Sequence, residues 1–234
     1  MSSSEALSKL NAQLKILLAG RQQIDILEAG GGSNMRLELD PSIKAVITTI
    51  DISDVQLAEN TYAAHKIKGD LCSYKYDPAS YDLIVCYDVL EHLEDPEAAV
   101  RAFIPALRPG GLIVIGSPNP KSFKGLVTKF TPHSVHAAFY RVFHNNPNAG
   151  KPGYFPYPTT LRFFMAPNSL SRFFAHEGLS LRFIDIYDSG IANVIAAKSA
   201  VLGHVFKAVM GMAKTLGGKK MQLDGSDFHL LVQR

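Results

Sequence analysis

The sequence is poor in cysteine and in net charge, and over one long stretch it has no acid at all. Its 234 residues include two cysteines, Cys72 and Cys86, 14 positions apart. That spacing makes neither a disulfide framework nor a C-x2-C zinc pair, which excludes a small stapled fold and fits a reducing compartment. A net charge of +3, from 24 Lys plus Arg against 21 Asp plus Glu, is too weak a field to argue for nucleic acid as a partner. No uninterrupted apolar run reaches the ~18 to 20 residues of a spanning helix. The Ser-rich start, residues 1–9, lacks the basic and apolar parts of a secretory leader. A cytoplasmic protein is the expectation. With 47% hydrophobic and 19% charged residues the chain can bury a substantial core, which excludes a disordered tail protein.

From Ile24 onward, short apolar runs alternate with helix-period stretches, the pattern of a parallel sheet covered by helices. A leading helix is expected at 4–18 and strands at 24–29, 45–51, near 68–70, 81–86 and 112–116. Helices are expected at 55–65 and from Pro96, since proline suits a first turn. Pro109-Gly110-Gly111 should stop the chain before the fifth strand. Two last strands, 179–187 and 228–233, flank a helical insertion at 193–216. The expected fold class is α/β: a Rossmann-like, doubly wound, mostly parallel seven-stranded sheet, with an inserted lid after strand five and a helical insertion between the last two strands. Residues 1–234 read as one domain, with 118–167 the lid or acceptor insertion.

The acid-free stretch lies here. Residues 118–176, 59 in all, contain no Asp or Glu but seven Lys or Arg and four His, and residues 118–187 hold 14 of the 22 aromatics. Such a segment suits an anionic or amphiphilic acceptor, or an anionic lipid surface. Tyr154, Phe155 and Tyr157, in a Pro-rich loop, are placed to pave an acceptor cleft.

The first strand runs into Glu28-Ala29-Gly30-Gly31-Gly32-Ser33-Asn34, where glycine lets the chain turn tightly and lets a ligand approach bare backbone. No Walker-type G-x4-G-K-[ST] run exists, and Met35 stands where a dinucleotide fingerprint has its last glycine, so ATP and NAD lose ground. Asp51 ends strand two, where a carboxylate can accept both ribose hydroxyls. Asp70 follows strand three and is placed to accept from an adenine amino group. Three successive strands that end in acids beside one crevice are hard to assign to chance.

These segments resemble the class I S-adenosylmethionine-dependent methyltransferases, in the branch that includes ubiquinone-type and related small-molecule enzymes. The resemblance rests on Ile26–Asn34, Thr49–Ser53, Gly69-Asp70-Leu71, Tyr81–Leu93 and Arg108–Ile115, in the expected order. It implies that S-adenosyl-L-methionine is the cofactor, with Glu28, Gly30 and Gly32 at its methionyl part, Asp51 at the ribose, Asp70 and Leu71 at adenine, and Ile52, Tyr87 and Asp88 also in the cofactor site. Asn34 departs from the third glycine of many members and leaves only the loop conformation open.

Methyl transfer from a sulfonium is an in-line displacement in which the protein supplies alignment, desolvation and, for a hydroxyl acceptor, a base. His92 follows strand four in Asp88-Val-Leu-Glu91-His92. Asp88, Glu91 and His92 fall on one helical face, and some relatives use a comparable set as metal ligands, but packing and capping is the reading preferred here, and no metal is assigned. His133, His136 and Tyr140 share a face of a helix that begins near Pro132. The candidate bases are therefore His133, His136 and His92. The expected activity is methyl transfer to a small-molecule or lipid-like acceptor, most readily at oxygen. The alternatives are a non-methylating scaffold that binds the cofactor, or an RNA methyltransferase, which the absence of an Asn-Pro-Pro-Tyr motif after strand four weakens. The helix at 193–216, with Lys198, Lys207 and Lys214, leaves peripheral membrane contact, pairing in a homodimer and packing on the lid all open.

Overall fold

A computed structural model describes residues 2–31, 35–151, 156–217 and 225–234. The first half runs α1 (Ser3–Leu17), β1 (Gln23–Ala29), β2 (Lys44–Asp51), α2 (Asp54–Glu59), β3 (His65–Lys68), β4 (Tyr81–Tyr87), α3 (Pro96–Ala106) and β5 (Leu107–Pro118). The second half runs α4 (Phe123–Phe130), α5 (His133–Phe143), α6 (Pro167–His176), β6 (Ser180–Tyr187), α7 (Ile191–Lys198), α8 (Ala200–Gly217) and β7 (Asp227–Gln233).

Because strand side chains alternate, the central strands feed two separate cores. Ile24 and Ile26, Leu83 and Val85, and Leu112 and Val114 point to one side, where Leu10, Leu14 and Leu18 arrive from α1 and the residue after it. Leu27 and Ala29, Ile84 and Cys86, and Ile113 and Ile115 point to the other, where they meet Phe103 of α3 and Leu170 and Phe174 of α6. A sheet buried on both faces is what near-continuous apolar strands require. The order is β3-β2-β1-β4-β5-β7-β6, with β1 to β5 parallel and β7 antiparallel to both its neighbours. The Rossmann-like, doubly wound, seven-stranded α/β architecture is thus the one the pattern predicts.

Several boundaries differ, each for a local reason. The helix expected at 55–65 ends at Glu59, because the buried Asn60 side chain accepts from the backbone N–H groups of Tyr62 (3.3 Å) and Ala63 (2.9 Å) and turns the chain out of the helix. Strand three accordingly lies earlier than 68–70, at His65–Lys68, and Asp70 sits in the turn beyond it. Pro109-Gly110-Gly111 does not precede the fifth strand but lies within it: Tyr81 pairs with Leu107 and Leu83 with Leu112, so the extra residues bulge around Asp82. The helix expected at 193–216 is two helices, broken at Ser199, which is extended and whose Oγ accepts from Leu202 N at 3.3 Å.

Asp82 shows what holds that bulge. Its buried carboxylate accepts from Arg21 (2.6 Å), Arg108 (2.5 Å) and the backbone N–H of Asp25 (2.9 Å), joining the starts of β1, β4 and β5. Asp82→Asn keeps the shape but weakens two charge-assisted bonds. It is expected to cost about 1.5–3 kcal/mol in urea unfolding, and an unchanged midpoint would show that the two arginines are held by other partners.

Candidate active site

The carboxyl ends of β1, β2, β4 and β5 lie along one edge of the sheet, and the strand order reverses between β1 and β4, the switch point at which open α/β sheets place a ligand crevice. At the tip of β1, Gly30 has φ +74° and its N–H donates to Ile50 O at 2.8 Å. A Cβ at Gly31 would overlap Thr49 Oγ1 and lie 2.6 Å from Glu28 Oε2, so the turn needs glycine at both positions. Gly31 was not singled out by sequence. Gly32 lies outside the described residues, as do Ser33, Asn34, Tyr154 and Phe155. Glu28 is buried beneath the turn, and its carboxylate accepts from the Tyr62 hydroxyl at 2.5 Å. Burial lifts its pKa above the usual carboxylate range, and the bonds from Tyr62 and Asn60 partly offset this.

Asp51 ends β2, partly buried, with Oδ1 accepting from Ser53 N at 2.7 Å; burial is also the main cause that raises its pKa. The next residue, Ile52, is 70% exposed, an apolar side chain left open beside a carboxylate. Asp70 accepts from Cys72 N at 2.9 Å in an exposed turn, whereas the side chain of Leu71 is buried in the main core.

The tip of β4 is more heavily built. Gly116 on β5 leaves room for the Tyr87 ring, since a Cβ there would stand 2.5 Å from Cε2. Arg36 covers the ring at 5.0 Å and pairs with Asp88 at 2.9 Å. The Tyr87 hydroxyl is hydrogen-bonded to Nε2 of His229, a fully buried histidine on β7 that the Tyr187 hydroxyl also reaches at 3.1 Å. Burial holds His229 down at about 4, so the ring is neutral. Asp88 has a left-handed backbone, φ +55°, unusual for a residue other than glycine.

Asp88, Glu91 and His92 do not share a helical face. Leu90–His92 forms a single 3-10 turn, and the three side chains go to different partners: Arg36, the Ser117 hydroxyl (3.3 Å) and the Pro158 carbonyl (2.7 Å). Because a carbonyl only accepts, His92 Nδ1 is the donor in this bond, and the neutral tautomer compatible with it has its lone pair on Nε2. Glu91 is buried; desolvation first and the Asp88 charge second push its pKa up to about 8, so it is a neutral carboxylic acid at pH 7. Asp227, at the start of β7, accepts from Lys124 Nζ of α4 at 3.0 Å. The phenol of Tyr140 on α5 lies in the field of Lys124, Asp227 and Asp88.

The expected helix face of His133, His136 and Tyr140 is therefore oriented by Tyr140, which lies toward the crevice. His136 Nε2 is bonded to the Thr131 hydroxyl at 2.7 Å, and His133 packs by Gly150 with a buried Nδ1. Lys124, Asp227 and His229 were missed because they are contributed by elements far apart in sequence. The acid-free run that makes Lys124 conspicuous was the available signal.

A sheet in this order, with a glycine turn and acid-tipped strands around its switch point, defines the class I S-adenosylmethionine-dependent methyltransferase type of protein. Residues 4–182 match the family described as a methyltransferase domain, and the chain belongs to it. The ubiquinone biosynthesis O-methyltransferase of Cupriavidus pinatubonensis is 26% identical over 175 residues, 70% of this chain and 62% of that protein. That of Acinetobacter baumannii (strain AYE) is 26% identical over 186 residues, 68% and 77%. The chain spans about half the length of other curated relatives that it matches, 56% for that of Neisseria meningitidis (serogroup A). Among solved structures, an S-adenosylmethionine-dependent methyltransferase from Mesorhizobium loti aligns with a TM-score of 0.56 at 13% identity, over 97% of this chain and all of that one. Loganic acid methyltransferase with SAH aligns at 0.57 and 11%, over 99% and 91%. The [4+2]-cyclase SpnF aligns at 0.56 and 15%, over 100% and 84%. Likeness at such identity establishes the fold and leaves the reaction to the site.

The Glu91 pKa carries a stability consequence. The folded state holds a proton that the unfolded chain, with a pKa near 4.5, releases, so this contribution is present below 4.5 and is lost as pH rises toward about 8. Glu91→Gln should remove that slope from urea unfolding measured between pH 5 and 8; parallel curves for the two proteins would show that Glu91 is already ionised when folded.

Proposed function

We propose that this chain binds S-adenosylmethionine in the crevice at the tips of β1, β2 and the turn after β3, and transfers its methyl group to an oxygen of a small-molecule or lipid-like acceptor. The observation that carries this reading is Asp51 with the open side chain of Ile52, at the strand tip next to the φ +74° glycine turn. A ribose and the apolar face of a base are the chemistry that such a pair fits. The names of the curated relatives favour oxygen as the methylated atom.

In this reading Asp51 accepts from the ribose hydroxyls and Ile52 lies against the adenine face. Asp70 accepts from the adenine amino group, with the Leu71 backbone beside the ring and its side chain committed to the core. Gly30 brings bare backbone to the methionyl part, to which the resemblance also assigns Gly32. Glu28, held by Tyr62 beneath the turn, positions that backbone, and Tyr87 and Asp88 close the side of the pocket. The bound sulfonium supplies an activated methyl and a neutral thioether leaving group. The protein aligns the acceptor and excludes water.

A hydroxyl acceptor also needs its proton removed. Of the three histidines, His92 is the best prepared, because the Pro158 carbonyl fixes the tautomer that leaves Nε2 free to accept. His136 Nε2 is engaged by Thr131, and His133 packs against the loop at Gly150, so both serve the wall that residues 118–167 build over the acceptor. Lys124, paired with Asp227, and Tyr140, in the field of both and of Asp88, are polar groups of that wall and favour an anionic or phenolic acceptor.

Calorimetry with S-adenosylmethionine and S-adenosylhomocysteine, followed by S-adenosylhomocysteine release in the presence of phenolic acceptors, tests the reading. Asp51→Ala should weaken donor binding by about 1–3 kcal/mol. A wild-type protein that ignores both compounds overturns the proposal. His92→Ala should leave donor affinity intact and lower kcat by ~10²–10⁴-fold; full turnover in that variant would return the role to another group.

A further inference from the structure

Helix α8 turns apolar side chains to both sides. Gly203, Phe206 and Met210 face inward, with the Phe206 ring edge-on to Phe123 of α4 at 5.6 Å. On the opposite face Val201, Val205 and Met212 are 72%, 53% and 59% exposed, and Val209 lies beside them. Positions i, i+4, i+8 and i+11 form one stripe along the helix. Single exposed apolar residues are ordinary, but a continuous stripe over three turns marks an interaction surface.

Charge identifies what the stripe meets. Residues 118–176 and 189–223 together make 94 positions with 12 Lys or Arg and no Asp or Glu, while the other 140 positions hold all 21 acids and 12 Lys or Arg. The two acid-free stretches come together in space, through Phe123 and Phe206 and through Lys198 Nζ, which donates to Asn145 at 2.6 Å. Of the nine of those cations whose side chains are described, Lys124 alone forms an ion pair with a carboxylate. The molecule therefore has a cationic cap, with α8 on it, over an acidic body.

We propose that α8 docks this cap on an anionic lipid bilayer, with the valine and methionine stripe in the headgroup boundary and the surrounding lysines against lipid phosphates. The contact is peripheral: no helix among the described residues is long and apolar enough to cross a membrane. A second copy of the chain fits less well, since a two-fold interface would set one cationic cap against another. RNA fits less well too, because phosphate recognition would leave the apolar stripe uncovered. No donor-site residue enters this inference, so it stands or falls apart from the methyl-transfer reading.

The test is sedimentation of the full chain with phosphatidylcholine vesicles, with and without phosphatidylglycerol. Binding should be about tenfold stronger with the anionic lipid, as expected for a few lysines at the surface, and should fall as salt rises. Val201→Asp with Val205→Asp should lose about tenfold of that binding while circular dichroism stays native. The sequence has no tryptophan, so Val205→Trp provides a single reporter whose emission should shift to the blue on anionic vesicles. Equal binding to both vesicle types, or an unshifted reporter, overturns the proposal. So does self-association that the Asp variant abolishes without any vesicle binding, which would assign the stripe to a second copy. Binding to an RNA homopolymer with none to vesicles would overturn it as well.

Discussion

The change of direction between β1 and β4 is the constraint on which the donor end depends. After β1 the chain moves outward through β2 and β3, then returns to lay β4 on the other side of β1. The loop after β1 is tied to β2 by Gly30 N to Ile50 O, and the loop after β4 is tied to β5 by Asp88 N to Gly116 O, both at 2.8 Å. Bound to opposite neighbours, the two loops part and leave the crevice between them. Val89 packs against Gly30 at its floor. No single residue makes this opening; it follows from parallel strands with crossovers of one hand.

Such a crevice concentrates carboxyl groups in a poorly hydrated place, and the protein accommodates each differently. Burial raises the pKa of Glu28, Asp51, Asp88 and Glu91 alike. Asp88 has a counterion in Arg36, Glu28 has the Tyr62 hydroxyl, and Glu91 remains protonated against Ser117. Burial disfavours the charged form of all four carboxyl groups, and at Asp88 the Arg36 guanidinium works against it.

The strand tips of the first half were legible in the sequence because their determinants are local. A glycine turn directly after an apolar strand, and an acid at the next strand tip, are read along the chain without tertiary information. In the structure Asp51 ends β2, and Gly30 turns the chain directly after β1 with φ +74°. What escaped it depends on partners distant in sequence. The helical spacing of Asp88, Glu91 and His92 suggested a shared face, but Asp88 is drawn to Arg36 and His92 to Pro158, and the segment forms only a 3-10 turn. The extra residues of β5 read in the sequence as a stop because proline and glycine usually interrupt a strand, whereas here a buried Asp82 holds them in a bulge. His229 gave no local signal, since its role depends on β7 inserting between β5 and β6.

That insertion explains how the fold carries an additional helical pair without loss of the donor end. The family match stops at residue 182, before β7, yet β7 supplies both the His229 that holds Tyr87 and the Asp227 that holds Lys124. Between β6 and β7 the chain leaves to form α7 and α8 and then returns. Its exit and return are fastened together: Ser189 N donates to Ser226 Oγ at 2.7 Å, and the two hydroxyls are 2.9 Å apart. A loop whose ends are fixed in this way can lengthen at little entropic cost, because closure grows only with the logarithm of its length. The excursion can therefore change in size and surface while β7 keeps its register, and with it the supports of Tyr87 and Lys124. The donor end and the cationic cap are consequently free to vary separately, one set by the strand order and the other by what was inserted beyond Ser189.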